Sequence, residues 1–145
     1  MPETGSRNSP YSGFKFLLEI DGVTVATFSE CSGLTTETGI IEYREGHENI
    51  TVSKLPGLKK FANISLKRGF TDNNKLWEWR KKVMEGQTKR QSGSIVLLNE
   101  AREETVRWNF RKAWPSRWEG PNFNAKGNEV AIETLELTVE SLELE

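Results

Sequence analysis

The single histidine and the single cysteine carry the most reactive side chains in this sequence. His47 lies in the segment Gly46-His47-Glu48, which has the composition of a hairpin turn. A histidine that acts as a general base needs a sheltered pocket and a partner that orients the ring, and a turn offers neither by default. We therefore interpret His47 as a solvated or interface residue.

Cys31 lies between Ser29-Glu30 and Ser32-Gly33. A cysteine nucleophile needs a nearby cation or a helix N-terminus that stabilises the thiolate, whereas the carboxylate of Glu30 disfavours it. A packed and inert thiol is the better interpretation. An enzyme that uses Cys31 and His47 together is an alternative, and it requires that replacing either residue abolishes activity.

The sequence has no spacing that is typical of a metal or phosphate site. One histidine and one cysteine supply too few ligands for a zinc site. The glycines are scattered, without the spacing of a phosphate-binding loop. We therefore predict a protein that is not an enzyme and that holds no cofactor and no metal.

Basic and aromatic residues lie close together in one part of the sequence, which is a pattern that binds single-stranded nucleic acid in some proteins. The cluster comprises Arg102, Arg107, Arg111, Lys112, Arg117, Trp108, Trp114 and Trp118. The arginines alternate with acidic residues, and the tryptophans have the spacing of core or interface anchors. We therefore predict no specific nucleic-acid binding.

The bulk composition is that of one small domain of balanced charge. The chain has 145 residues, with 20 basic and 21 acidic side chains, so charge alone attracts it neither to nucleic acid nor to membranes. Its apolar runs are too short to span a bilayer. We expect a flexible arm rich in Pro, Ser and Gly over residues 1–13, and a single domain over residues 14–145.

Alternation of apolar and polar residues predicts a mainly β structure. Phe14–Phe28 reads as a hairpin with a turn at Asp21-Gly22, and a charged hairpin that projects follows between Ile40 and Leu55. Pro56-Gly57 predicts a turn, and Ala113-Trp114-Pro115 predicts the end of a strand. Further predicted strands cover Phe61–Phe70, Ile95–Leu98, Val106–Arg111 and most of Glu129–Glu145, where the alternation changes phase near Thr134.

One segment has helical periodicity, with Leu76, Trp77, Trp79, Val83 and Met84 on one arc and a cap at Thr71 or Asp72. The elements together predict an α+β protein of mainly β type. Its architecture is two packed antiparallel β-sheets, or a flattened β-barrel, with one flanking α-helix.

Five segments follow one another along almost the whole chain. They are FKFLLEIDGVTVATFSECSGL (14–34), EYREGHENITVSKLPGLKKF (42–61), NISLKRGF (63–70) with the Leu76-Trp77-Glu78-Trp79 helix, RKAWPSRW (111–118) and NAKGNEVAIETLELTVE (124–140). In this order they resemble the tail tube proteins of contractile phages and of phage tail-like particles. The resemblance implies a fold similar to the ring protein of type VI secretion.

The resemblance also implies a structural function. Hexameric rings of this chain would stack into a hollow inner tube, which sheath contraction drives through a target envelope. The implied partners are further copies of the chain, the sheath protein, baseplate or spike proteins, a terminal cap and a protein cargo in the lumen. The implied location is a tail-like particle that assembles in the bacterial cytoplasm and is released by lysis.

The charged hairpin is our candidate for contacts between stacked rings. Its candidate contact residues are Arg44, Glu45, His47 and Glu48. Two other functions are alternatives: a type VI secretion-like ring protein, and a β-barrel that binds a small ligand in a deep apolar cavity.

Overall fold

The computed structural model describes residues 15–21, 23–44, 46, 51–70, 74–123 and 131–145. These residues form ten strands and one helix. The strands are β1 (Lys15–Ile20), β2 (Val23–Phe28), β3 (Glu30–Ser32), β4 (Thr36–Tyr43), β5 (Ser53–Phe61), β6 (Ile64–Gly69), β7 (Gln91–Leu98), β8 (Glu104–Glu119), β9 (Ile132–Thr138) and β10 (Ser141–Leu144), and the helix α1 is Lys75–Met84. The predicted arm over residues 1–13 lies outside the described residues, as do Thr71 and Asp72. The predicted cap at Thr71 or Asp72 is wrong, because the helix begins later and Asn74 occupies its N-cap position.

Eight strands form one antiparallel sheet that folds over into two layers. The order is β2-β1-β7-β8-β9-β6-β3, with β10 also paired to β8. The long strand β8 belongs to both layers, because its first half pairs with β7 and β10 and its second half pairs with β9. We call the layer β2-β1-β7-β8-β10 sheet A and the layer β8-β9-β6-β3 sheet B.

Two corners turn this sheet into a flattened barrel. At one corner, Lys112 has a φ of 52° where β8 passes from sheet A to sheet B. At the other corner, Ser29 joins β2 to β3, and its backbone N–H donates a hydrogen bond to the carbonyl oxygen of Lys67 in β6 (2.9 Å). The predicted mainly β fold with two antiparallel sheets and one helix is confirmed.

The apolar core lies between the two sheets. Leu18, Ile95 and Phe110 from sheet A pack with Leu66 and Leu135 from sheet B, and each is at most 1% exposed. These residues occupy alternate strand positions, as the sequence pattern predicts. Of the helical arc, only Leu76 is fully buried, and Met84 is 54% exposed.

Two predicted strand breaks are wrong. Pro115 lies inside β8, where its ring is buried in the core and the pairing with β9 shifts by one residue. Pro56 and Gly57 lie inside β5, next to an irregularity in its pairing with β4. Both prolines are tolerated because an edge strand or a bulge does not require every backbone N–H for the ladder.

The strands β4 and β5 form a separate two-stranded unit, which we call the ribbon. Its pairing runs from Thr36 opposite Phe61 to Tyr43 opposite Ser53. Most of its side chains are exposed, as expected for a hairpin that projects from the barrel.

Candidate functional site

Cys31, the candidate nucleophile, lies in β3 opposite Leu66, with its side chain packed against the core. Burial raises the pKa of the Cys31 thiol to about 12. The thiolate is therefore scarce at neutral pH, which is the opposite of what a catalytic cysteine needs. His47, the other residue of the alternative catalytic pair, lies outside the described residues.

The barrel interior is filled by side chains. Leu18, Ile64, Leu66, Ile95 and Leu137 all have no exposed surface, so a ligand cannot enter between the sheets without displacing them. A depression of about 530 Å³ does occur on the outside of sheet A, but several of the residues that line it are charged. It is lined by Lys15, Leu17, Thr27, Leu98, Asn99, Glu100 and Arg102.

Metal ligands are not assembled in the described part of the chain. Among those residues, no group of three or more His, Cys, Asp or Glu side chains could hold an ion. In the same part of the chain, no helix is long and apolar enough to cross a membrane.

Arg107 and Arg117, two residues of the cluster of basic and aromatic residues, are paired with carboxylates. The Arg107 guanidinium lies 2.8 Å from a carboxylate oxygen of Glu19 and 2.7 Å from a carboxylate oxygen of Glu104. The hydrogen bond from Arg107 to Glu104 lowers the pKa of the Glu104 carboxyl. Arg117 forms ion pairs of 3.1 Å with both Glu119 and Glu136. Guanidinium groups held in this way are poorly placed to bind phosphates.

Trp118 of this cluster also has partners within the chain. The Trp118 indole N–H donates a hydrogen bond to Glu133 Oε1 (2.7 Å), and its ring packs on Trp77 of the helix, with centroids 4.9 Å apart. Trp118 therefore connects the barrel to the helix, and its ring is not available to stack on a nucleic-acid base.

The helix covers one edge of sheet B. The second half of β8 pairs with β9 on one side, and α1 packs along its other side. There the Arg80 guanidinium donates a hydrogen bond to the carbonyl oxygen of Pro115 (3.2 Å). A covered edge cannot add a strand from another molecule.

Sheet A, by contrast, has an open edge at each end. Among the described strands, none pairs with the outer side of β2 or of β10. In β10, Glu145 N–H donates to the carbonyl oxygen of Arg107 (2.9 Å). Because hydrogen-bonded residues alternate in an antiparallel pair, the backbone N–H groups of Leu142 and Leu144 point away from β8. These groups can pair with a further strand.

The ribbon exposes apolar side chains on both of its faces. Ile41 and Leu55 are paired across the strands and are 53% and 49% exposed, with Tyr43 beside them. Ile40, the neighbour of Ile41 in β4, is 68% exposed on the opposite side, and Leu58, in the irregular part of the pairing, is 80% exposed. An isolated two-stranded ribbon with this much exposed apolar surface is expected to be covered by another protein surface.

Of the predicted ring-stacking residues, the structure describes only Arg44. Arg44 follows β4 directly and is exposed. Glu45, His47 and Glu48 lie outside the described residues. The apolar ribbon residues were missed as candidates, because only the charged residues of this hairpin were considered for contacts. The prediction that the hairpin projects was the available signal.

Comparison with known proteins covers almost the whole chain. Residues 12–143 match the family model of the T4-like virus tail tube protein gp19. Among curated proteins, none matches this chain.

Solved structures give the same result. A chain from the PVC sheath-tube complex, an extracellular contractile injection system in the extended state, is 27% identical, with a TM-score of 0.81 over 95% of this chain and 93% of that one. A chain from the anti-feeding prophage cap is 29% identical, with a TM-score of 0.82 over 100% and 99% of the two chains. Hcp1 from Flavobacterium johnsoniae, at 13% identity and a TM-score of 0.53 over 90% and 93%, shares the fold.

Proposed function

This chain belongs to the T4-like virus tail tube protein family, and we propose that six copies close into a ring by pairing the open edges of sheet A. It is a tube protein of a contractile injection system, and the tube is built of such rings stacked on one another. The proposal names the strands through which one ring closes.

The two open edges of sheet A support this proposal most directly. When β10 of one copy pairs with β2 of the next, five strands from each copy join into one continuous sheet around the ring. The contact is heterologous, so it closes only if the rotation between neighbours brings the last copy back to the first. Sheet B is a poorer candidate, because α1 covers its β8 edge.

The outer face of sheet A carries a polar row of side chains that suits a wet lumen. Its rows carry Glu19, Ser94 and Asn109 on adjacent strands, and Ser94 Oγ donates to Asn109 Oδ1 (2.6 Å). We place this face on the inside of the tube, with sheet B and α1 outside.

Leu144 offers a sharp test of ring closure. Its N–H points to the open edge and its side chain is 66% exposed, so Leu144→Pro removes a pairing donor without breaking a bond inside the subunit. Leu144→Ala removes the same side chain and keeps the N–H, which makes it the matched control.

We expect Leu144→Pro to fold but to remain monomeric, and Leu144→Ala to form sixfold rings. Circular dichroism checks folding, and negative-stain microscopy with sedimentation velocity counts the copies. Sixfold rings formed equally well by folded Leu144→Pro protein would overturn pairing through the β10 edge.

The ribbon is the proposed contact between successive rings. Apolar residues on both faces suit a segment that lies between two protein surfaces. The charged residues predicted at its tip would help to align one ring with the next through weak ion pairs. These residues are Arg44, Glu45, His47 and Glu48.

The remaining proposals concern the particle and the absence of catalysis. By likeness to the PVC and anti-feeding prophage chains, the tube meets a sheath, a baseplate and a terminal cap. We propose assembly in the bacterial cytoplasm and release by lysis, with no catalytic role. The raised pKa of the Cys31 thiol supports the last point. Fractionation before lysis tests the location: particles found outside intact cells would contradict it.

A further inference from the structure

The large apolar side chains that are exposed among the described residues gather mainly in two places. Six lie in the ribbon or next to it, and three lie at the end of sheet B where β6 finishes and β9 begins. The ribbon group comprises Ile40, Ile41, Tyr43, Val52, Leu55 and Leu58, and the second group, which we call the apolar patch, comprises Phe70, Phe123 and Ile132. Exposed apolar groups concentrated in this way are expected to be covered by protein surfaces.

The apolar patch is built by contacts among its own members. The Phe70 N–H donates a hydrogen bond to the carbonyl oxygen of Ala131 (2.9 Å), which sets Phe70 beside Ile132. The rings of Phe70 and Phe123 meet edge to face, with centroids 6.3 Å apart and an interplanar angle of 82°. Phe123 is nevertheless 77% exposed. An aromatic pair that packs at the surface is typical of the anchor residues of a protein interface.

The apolar patch and the ribbon lie at opposite ends of sheet B. At the ribbon end, the Ala62 N–H donates to the carbonyl oxygen of Thr35 (3.3 Å), and β6 begins shortly afterwards at Ile64. β6 then runs along the sheet, and the residue that follows it is Phe70. Six steps of about 3.3 Å place Phe70 about 20 Å from Ile64. One subunit therefore carries an apolar projection at one end and an apolar surface at the other.

Sheet A shares this polarity. A depression of about 330 Å³ is lined by Phe70 together with Lys15 and Phe28, so the patch lies where β1 begins and β2 finishes. At the ribbon end, the Glu140 N–H donates to the carbonyl oxygen of Arg111 (3.0 Å), next to the corner of β8. Because the proposed ring closure places the strands of sheet A side by side, these two ends become the two rims of a ring.

A stack of rings can grow only if unlike rims meet. Contact between like rims is isologous and ends after two rings, whereas head-to-tail contact repeats without limit. In a head-to-tail stack, the rim that carries the ribbons meets the rim that carries the apolar patches. A single kind of contact then covers both groups of exposed apolar side chains.

We propose that the apolar patch receives the ribbon of a subunit in the next ring, so that its partner is a second copy of this chain. The inference rests on the proposed function, which supplies the ring and the ribbon as the stacking contact, and it adds the surface on which the ribbon lies. Sixfold repetition along each rim makes the sum of the contacts strong even where one contact is weak.

Phe123→Asp tests the patch. The side chain is largely exposed, so we expect the variant to fold and to form sixfold rings. Asn122→Asp adds the same charge at the neighbouring exposed position and is the matched control. Polyethylene glycol is raised until wild-type rings stack, and negative-stain microscopy counts the rings in each stack. We expect at least about tenfold fewer stacked rings for Phe123→Asp and normal stacks for Asn122→Asp. Normal stacks for both variants would overturn the inference.

A mixture of two variants tests whether the ribbon and the patch lie on opposite rims. Ile41→Asp rings keep an intact patch and Phe123→Asp rings keep intact ribbons, so the mixture offers one complete junction. We expect single rings from each variant alone and pairs of rings from the mixture. Single rings in the mixture would place Ile41 and Phe123 on the same rim and overturn the inference.

Photo-cross-linking identifies what contacts Phe123. p-Benzoylphenylalanine is incorporated in place of Phe123 in the complete particle, and in place of the exposed Lys82 of α1 as the control. After irradiation, mass spectrometry identifies the joined peptides. We expect position 123 to be joined to residues 36–61 of a second copy, and position 82 not to be.

A product that joins position 123 to the sheath, to another protein or to a different segment of the tube protein would overturn the inference while leaving ring formation intact. Absence of sixfold rings in the wild type would instead contradict the proposed function, so the two failures are distinguishable.

Discussion

Arg68 and Glu133 form an ion pair in the interior of the barrel, with Arg68 Nε 3.0 Å from Glu133 Oε2. Both side chains are at least nine-tenths buried. The other carboxylate oxygen, Oε1, accepts the hydrogen bond from the Trp118 indole. The guanidinium carbon lies 5.8 Å from the centroid of the Phe28 ring. Each oxygen of the buried carboxylate therefore has a partner, and the pair ties β6, β9 and β8 together.

We predict that Glu133→Leu destabilises the protein by about 3–5 kcal/mol, because Arg68 is left as a buried charge without its carboxylate. Urea denaturation of the wild type and the variant measures the difference in the free energy of unfolding. The double variant Arg68→Met/Glu133→Leu should be more stable than Glu133→Leu alone, since it removes both charges together. A single variant within about 1 kcal/mol of the wild type would contradict this account.

Glu133 also explains where sequence reasoning went wrong in the last strands. The apolar positions Leu135, Leu137 and Val139 follow one parity, and Glu133 occupies the same inward parity with 2% exposure. Ile132, which looked like a core residue, is 49% exposed. The predicted change of phase near Thr134 is therefore wrong, because a buried charge stands at a core position. Its partner Arg68 is 65 residues away in sequence, so the alternation alone could not reveal the pair.

The first hairpin was predictable because its pattern is local: β1 and β2 alternate on either side of a turn at Asp21. The ten strands and the corner at Lys112 depend on long-range pairing, which propensities do not encode. Pro115 illustrates the limit, since a proline predicts a break unless the partner strand places it at a bulge. Which strands carry the open edges of sheet A follows only from the topology.

Gly33 should be intolerant of any side chain. Its φ is +87°, and a Cβ added there would clash with the carbonyl oxygen of Asn63. Gly86 has a similar φ of +83° with open space around it, so Gly86→Ala is the matched control. We expect Gly86→Ala to lower the free energy of unfolding by about 1 kcal/mol, from the backbone conformation alone.

Gly33→Ala should lower the free energy of unfolding by at least about 2 kcal/mol more than Gly86→Ala does, because the backbone must also move away from Asn63. Thermal unfolding of both variants against the wild type checks the difference. Equal losses for the two alanine variants would show that the contact with Asn63 relaxes freely.

Cys31 should be nearly inert toward alkylation in the folded protein. Its pKa is raised from 9.0 to about 12 by burial, so at pH 8 the folded protein contains about a thousandfold less thiolate than the unfolded chain. The alkylation rate with iodoacetamide, followed by mass spectrometry in buffer and in urea, measures this ratio. The rate in buffer should keep rising with pH above about 9, whereas the rate in urea should level off. Similar rates in the two conditions would contradict a packed thiol.

We expect the ribbon to be important for the stacking of rings and to contribute little to the stability of the folded subunit. Ile41 is 53% exposed in the subunit, so Ile41→Asp should change the free energy of unfolding by less than about 0.5 kcal/mol. If Ile41 is covered by a second ring, the same substitution buries an unpaired carboxylate there, and rings should no longer stack. Thr38→Asp adds the same charge at an exposed polar position of β4 and serves as the control.

Negative-stain microscopy after seeding with baseplates measures the number and length of the tubes. We expect wild type and Thr38→Asp to form tubes of normal length, and Ile41→Asp to form separate rings. Reversing Arg44 and Glu45 to the opposite charges tests the charged tip, where unchanged tube length and yield would refute a role in stacking. Because exposed ion pairs contribute only about 0–1 kcal/mol each, the charge reversal should shorten tubes less than Ile41→Asp does. The opposite ranking would show that the charged tip, and not the apolar faces, holds successive rings together.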